Sequence, residues 1–386
     1  MKSKWDLKEG FWRGAALSAV TLAGLAAAER AATVVYKLPH GRFPAMLIEV
    51  MGSRAISWIG VAGYYERIFN NDRLRQLTTW ENSSFVNDPF RLLRLRPNLA
   101  TVTEWRTTNT PTNSFGYIGR EWSQHKPPNT RRMALLGDSI AGGWGVALSQ
   151  SFGSLLESRL NALHPNDTWQ QFELLNFSVS GYNLPQMLDV AREDVPRFEP
   201  DVYVVALTEL SVFRPWSSLL IHMIQLNRDL KYGFLREAVG RAGTSQRDDS
   251  LMLQGKLAPF RIPVIREALF EIKSNAEQHH ANFLVFLVPT VGDADLPRKR
   301  FEGIPELLRS LHINFVDVSD TFDGILDRQS LRYSRTDVHP NARGHAMIYN
   351  NLYARLRAQP DAWSALVGSR PESAQQAKAS SSGKRL

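Results

Sequence analysis

From Arg132 onward, short apolar runs alternate with longer stretches of helical spacing, and few folds tolerate that pattern. Met133–Leu136, Leu174–Val179, Val202–Leu207 (VYVVAL), Ala281–Val288 (ANFLVFLV) and Asn314–Val318 are each the length of one strand. Runs as apolar as the third and fourth belong to strands covered on both faces. Between them lie predicted helices over Ser151–Leu163, Leu184–Arg197, Pro263–Gln278 and Ala342–Leu356, the first with Phe152, Leu155, Leu156 and Leu160 on one stripe. Parallel neighbours need a crossover, so strand–helix alternation predicts a parallel sheet with helices on both faces.

Upstream the chain reads differently. Gly14–Ala28 is 15 residues without a charge, preceded by Lys2, Lys4, Lys8 and Arg13. As a helix it spans about 22 Å, short of the roughly 30 Å hydrocarbon core. Glu29 and Arg30 interrupt before Ala31–Tyr36 resumes. A signal anchor with its basic flank inside, a signal peptide cleaved near Ala26-Ala27-Ala28, and a helix lying on protein or on a membrane surface all fit. The expectation is membrane contact through residues 11–36, with the rest anchored or exported to the cell envelope. Met46–Phe69 mixes apolar residues with Glu49, Arg54 and Glu66 and reads as amphipathic.

The predicted organisation is a helical region over 1–70, an irregular lead-in over 71–128 and an α/β domain over 129–360. A Ser-, Ala-, Gln- and Lys-rich disordered tail over 367–386 ends the chain. A helical insertion, 211–261, follows the third strand's carboxyl end, which places it beside the ligand crevice of such sheets, either as a lid or docking surface or as a passive insertion. Within it Trp216–Leu226 and Asp229–Val239 read as helices and Gly243–Gln254 as a mobile loop.

Composition matters where it excludes. The chain has no cysteine, so disulfides, thiolate-bound zinc, iron–sulfur clusters and a thiol nucleophile are out. The net charge of +8 is spread along the sequence without a block of basic residues, and no nucleic acid is expected. Neither a His-Glu-x-x-His pair, a phosphate-cradling loop nor a dinucleotide fingerprint occurs. Gly142-Gly143-Trp144-Gly145 has glycines without that spacing, and Trp144 reads as a pocket wall beside Ser139.

Three signals fall at predicted strand ends. Gly137-Asp138-Ser139 closes the first strand, presenting a hydroxyl at the sheet's carboxyl edge with main-chain amides behind it. Asn176-Phe177-Ser178-Val179-Ser180-Gly181-Tyr182-Asn183 closes the second, where glycine lets a main-chain N–H approach a ligand. Asp337-Val338-His339-Pro340-Asn341 precedes the last helix, with Asn341 as its cap, His339 free to reach Ser139 and Asp337 near enough to orient the ring. His345, six residues further on, is a lesser candidate base and otherwise a packing or surface residue. Asp138 reads as bracing its own turn.

These residues, with Gly344 and the Asn113-Ser114-Phe115-Gly116 and Lys126-Pro127-Pro128 lead-in, resemble the SGNH hydrolases, or GDSL esterases and lipases, of the bacterial envelope type. The resemblance covers roughly Asn113–Leu356. It implies a flavodoxin-like three-layer α/β/α fold with a five-stranded parallel sheet and chemistry on ester oxygen. Ser139 would be the nucleophile, His339 the base and Asp337 the orienting acid, with the amides of Ser139 and Gly181 at the oxyanion. It implies neither metal nor organic cofactor, an acylated small-molecule or glycan substrate, and a membrane acyltransferase or membrane-complex partner. Two positions depart from the family. Where its Asn oxyanion donor is usual, this chain has Leu207-Thr208-Glu209-Leu210, so that Glu209, Thr208 or Asn183 must be considered there. The usual acid position, three before the histidine, is Thr336, and Asp337 stands only two before. A catalytically impaired domain serving as a glycan-binding or membrane-complex scaffold is the rival expectation.

Overall fold

The computed structural model describes residues 84–368 apart from 103–108, 164–168, 214–219, 293–295 and 335–336, all inside the unit Thr78–Leu386. The predicted segments 1–70 and 11–36, and nearly all of 367–386, lie outside the described residues. Among those described, no helix is long and apolar enough to cross a membrane.

Two short antiparallel strands come first, β1 (Phe85–Asp88) and β2 (Leu92–Leu95), paired with Phe85 opposite Leu95. The lead-in, read as irregular, holds this short hairpin. Five further strands form one parallel sheet: β3 (Thr130–Leu136), β4 (Gln171–Asn176), β5 (Val202–Thr208), β6 (Asn282–Val288) and β7 (Asn314–Asp317). Their spatial order is β4-β3-β5-β6-β7. The order reverses at β3, where the second strand turns to one side and all later ones to the other. At such a switch point the crevice at the carboxyl ends opens.

The helices of the unit are α1 (Ser139–Gly142), α2 (Phe152–Leu163), α3 (Leu184–Glu193), α4 (Glu209–Phe213), α5 (Leu220–Gln225), α6 (Gly233–Arg241), α7 (Ser250–Leu257) and α8 (Arg261–Gln278). They continue with α9 (Leu296–Phe301), α10 (Ile304–Ser310), α11 (Ala342–Ala358) and α12 (Pro360–Val367). One face of the sheet offers Met133, Leu135, Val204, Ala206, Leu284 and Phe286 to a core shared with α2, α11 and α12. Helices α3 and α8 pack on one another across the opposite face. Gly243–Gln254 is not loop throughout, because Asp249 caps α7 by accepting the Met252 N–H at 2.8 Å.

Strand β3 begins three residues before the predicted Met133 because two arginines can be buried when every donor is answered. Arg132 is wholly enclosed, donating to Glu173 at 2.8 Å and to the Phe198 carbonyl at 2.6 Å. Arg131 donates to the carbonyls of Ala365 and Leu366 at the end of α12.

Candidate active site

The turn after β3 carries Ser139 as the first residue of α1, half-buried at the carboxyl edge of the sheet. Asp138 holds this turn. Its Oδ1 accepts the Ile140 N–H at 2.9 Å, and its Oδ2 accepts the hydroxyls of Thr208 at 2.5 Å and Ser211 at 3.0 Å. Both donors stand where β5 runs into α4, so the nucleophile turn is fastened to the neighbouring strand.

The loop before α11 carries His339, the predicted base. His339 Nε2 lies 2.7 Å from Ser139 Oγ, across 200 residues of chain. Its Nδ1 is hydrogen-bonded to Asp337 Oδ1, which also accepts the His339 main-chain N–H at 2.9 Å. With Nδ1–H donating to the carboxylate, Nε2 is left as the acceptor for the serine hydroxyl, the tautomer a general base needs. Burial pushes the Asp337 carboxyl up, but the hydrogen bond from His339 and the His339 and Arg332 charges outweigh it and hold it below the ordinary value. The carboxyl therefore stays ionised, and Asn341 caps α11 by accepting the Gly344 N–H at 3.1 Å. Thr336 lies outside the described residues.

The loop after β4 extends strand pairing as far as the nucleophile turn, with the Val179 N–H donating to the Gly137 carbonyl at 3.2 Å. Two residues on, Gly181 has φ +82°, a left-handed backbone that side chains rarely adopt. Asn183 caps α3, its N–H answered by Gln186 Oε1 at 2.9 Å. Thr208 donates to Asp138. Its hydroxyl is thus no idle replacement for the absent asparagine.

Glu209 requires a correction to its placement at the oxyanion. The side chain is fully enclosed, and both carboxylate oxygens accept from Thr290, the main-chain N–H at 3.0 and 3.2 Å and the hydroxyl as well. An acceptor already engaged by two donors has nothing to give a developing anion. Burial raises its carboxyl above the ordinary range, against the pull of the Thr290 bonds.

An aromatic ring stands on each of the two loops. The Trp144 ring lies 5.5 Å from that of His339, tilted by 32°. The Tyr333 ring fills the space that a Cβ on Gly145 would need, 2.4 Å away, so the small residue lets the two loops meet. His345 is not a base facing substrate: it is fully buried, stacked on Phe152 at 6.0 Å, and its Nδ1 accepts the Phe152 N–H at 3.4 Å. Thr290, Val291 and Arg332 escaped sequence reasoning because no motif contains them. Val291 donates to the Val338 carbonyl at 2.8 Å, and its own carbonyl accepts from Arg332 Nε at 2.7 Å. In the insertion, Lys231 and Tyr232 bond to Asp189 on α3, which anchors its described part there.

Among the described residues, no group of three or more metal-binding side chains forms a cluster. No family model matches the chain, and no curated protein matches it. Among solved structures it is similar to TesA, at 15% identity and TM-score 0.39 over 59% of this chain and 99% of that one. It is also similar to Axe2, an acetylxylan esterase from Geobacillus stearothermophilus, at 14% identity and TM-score 0.39 over 58% of this chain and 93% of that one. A third is the psychrotrophic esterase EstA from Pseudoalteromonas sp., at 13% and 0.36 over 59% and 97%. The strand order and the parallel sheet themselves carry the architecture: the chain has a flavodoxin-like three-layer α/β/α fold.

Proposed function

We propose that this protein is an SGNH-type serine esterase or O-acyltransferase acting on an acylated carbohydrate or lipid. The observation that carries the reading is the line Ser139–His339–Asp337, with 2.7 Å between Oγ and Nε2 and a carboxylate on Nδ1. Ser139 Oγ attacks the ester carbonyl as its proton passes to His339 Nε2, and the amides of Ser139 and Gly181 take the oxyanion. Collapse expels the alcohol, which receives that proton, and leaves an acyl-enzyme. Water, or a sugar hydroxyl in transfer, gives its proton to His339 and takes the acyl group, and His339 returns that proton to the departing Ser139 Oγ. Membrane attachment through residues 11–36, placement at the cell envelope and a membrane acyltransferase partner belong to the same proposal, supported by the sequence pattern of that segment.

Hydrolysis of p-nitrophenyl acetate by the purified protein, and labelling by a serine-directed phosphonate, test it. Both are expected in the wild type and absent in Ser139→Ala. Equal rates in the two proteins would exclude catalysis at Ser139. That result would favour the scaffold reading, whose own support is the acidic Glu209 where an amide donor is usual.

A further inference from the structure

The end of β5 bonds to two different loops. Thr208 and Ser211 donate to Asp138, the residue before Ser139. Between them, Glu209 accepts both the N–H and the hydroxyl of Thr290. The next residue, Val291, is bound through its N–H to the Val338 carbonyl and through its own carbonyl to Arg332. Val338 separates Asp337 from His339. Arg332 and Pro340 form a β-bridge that closes the loop from the other side, and the Tyr333 N–H donates to the His339 carbonyl at 2.8 Å. A continuous path of main chain and hydrogen bonds therefore runs from the nucleophile turn through residues 208–209 to the base.

Its inner members are all enclosed: Thr208, Glu209 and Val291 at 0% exposure and Thr290 at 2%. Water does not compete for these bonds, and the packed surroundings leave the path little slack. A carboxylate is an expensive residue to bury and is tolerated when its oxygens are answered. Here one partner supplies two donors, which fixes the direction as well as the distance of the contact. An apolar residue at 209 would fill space without specifying where Thr290 sits.

We infer that Glu209 is a positioning residue, which holds the His339 loop at hydrogen-bonding distance from Ser139 through Thr290 and Val291. The inference rests on the hydrolase reading of the same site and gives the departure at position 209 a use other than a lost oxyanion donor. Reacting groups displaced by about an ångström lose on the order of 10²-fold in rate, so a slackened path falls on kcat rather than on KM.

The test compares Glu209→Ala, Glu209→Gln, Thr290→Val and Thr290→Ser with the wild type in p-nitrophenyl acetate kinetics. Glu209→Ala and Thr290→Val are expected to lower kcat by about 10–100-fold with little change in KM. Glu209→Gln keeps one oxygen able to accept both the Thr290 N–H and hydroxyl, as Oε1 does, and Thr290→Ser keeps both donors, so each should retain most activity. Leu160→Ala, a cavity in the buried core away from the path, controls for general destabilisation and should leave kcat nearly unchanged.

A second readout does not depend on turnover: the downfield proton resonance of His339 Nδ1–H, expected to shift or broaden in Glu209→Ala and Thr290→Val and to persist in the conservative variants. A folded Glu209→Ala or Thr290→Val protein with unchanged kcat and unchanged resonance would overturn the inference. So would a rise in kcat in Glu209→Asn, whose side chain is too short for Thr290 but suits an oxyanion. A wild type inert toward ester and phosphonate, but with a resonance that responds as expected, would remove the hydrolase reading and leave the positioning role standing.

Discussion

Asp337 shows how one residue can satisfy a geometry that its spacing seems to deny. Two positions before the histidine, it was expected to reach the ring because alternate residues of an extended loop face the same way. Instead its Oδ1 accepts the His339 main-chain N–H, an Asx turn that folds carboxylate and imidazole together while the same oxygen meets Nδ1. Asparagine can keep the turn, since its amide oxygen still accepts, but it cannot stabilise an imidazolium and favours the wrong tautomer. Asp337→Asn should therefore fold normally and lose roughly 10³–10⁴ in kcat, measured with p-nitrophenyl acetate beside a thermal melt. At this scale the residues that the structure brings together were legible because each sits in a short motif, Ser139 at a strand end and Asp337 and His339 just before a capped helix. Thr290 and Arg332 were not, since their importance arises from what β5 and the loop before α11 present to them.

The elements divide in the same way. Strands of the parallel sheet announce themselves by continuous apolar runs, but four-residue β1 and β2 carry Asn87, Asp88 and Arg94 and are joined without a glycine, with Leu92 at φ +66°. What holds this hairpin is tertiary. Arg91 at its turn donates 2.6 Å bonds to Asp189 and Asp194 at the end of α3, and its carbonyl accepts from Gln186 Nε2 at 2.6 Å. Tyr182, beside Gly181, donates to the Leu93 carbonyl at 2.8 Å, so the hairpin also braces the loop whose Gly181 amide is the proposed oxyanion donor. Removing the guanidinium leaves Asp189, 4% exposed, with Lys231 and Tyr232 as its charged or hydroxyl partners among the described residues. Breaking a buried pair in this way costs about 3–5 kcal/mol, and the remaining partners put Arg91→Met near the lower figure. A denaturant titration should show this loss, whereas Arg94→Met, exposed on the same hairpin, should stay within about 0.5 kcal/mol of wild type.

At the scale of the whole molecule, the core that joins α2, α11 and α12 to the sheet encloses one titratable group whose protonation opposes folding. His345 on α11 lies against Phe152 with no exposure, Nδ1 accepts a main-chain N–H, and Nε2 has no hydrogen-bond partner. Burial, then the nearby His339 charge, pushes its pKa down to about 3 from 6.5. The folded state thus holds this imidazole neutral while the unfolded chain protonates it below about pH 6.5. Protons are then bound preferentially by the unfolded state, and stability falls as pH drops, with the loss complete only near the folded value. More than about one pH unit above 6.5 the group contributes almost no slope. The slope amounts to about 1.4 kcal/mol per pH unit, so roughly 2 kcal/mol should disappear between pH 6.5 and 5 from this residue. His345→Gln offers the Phe152 N–H an acceptor and does not titrate. Its unfolding free energy, followed by urea titration across that interval, should decline less steeply than the wild type by about that amount. Parallel profiles for the two proteins would mean that His345 is protonated in the native core after all, and that the acid sensitivity of this fold lies with its carboxylates.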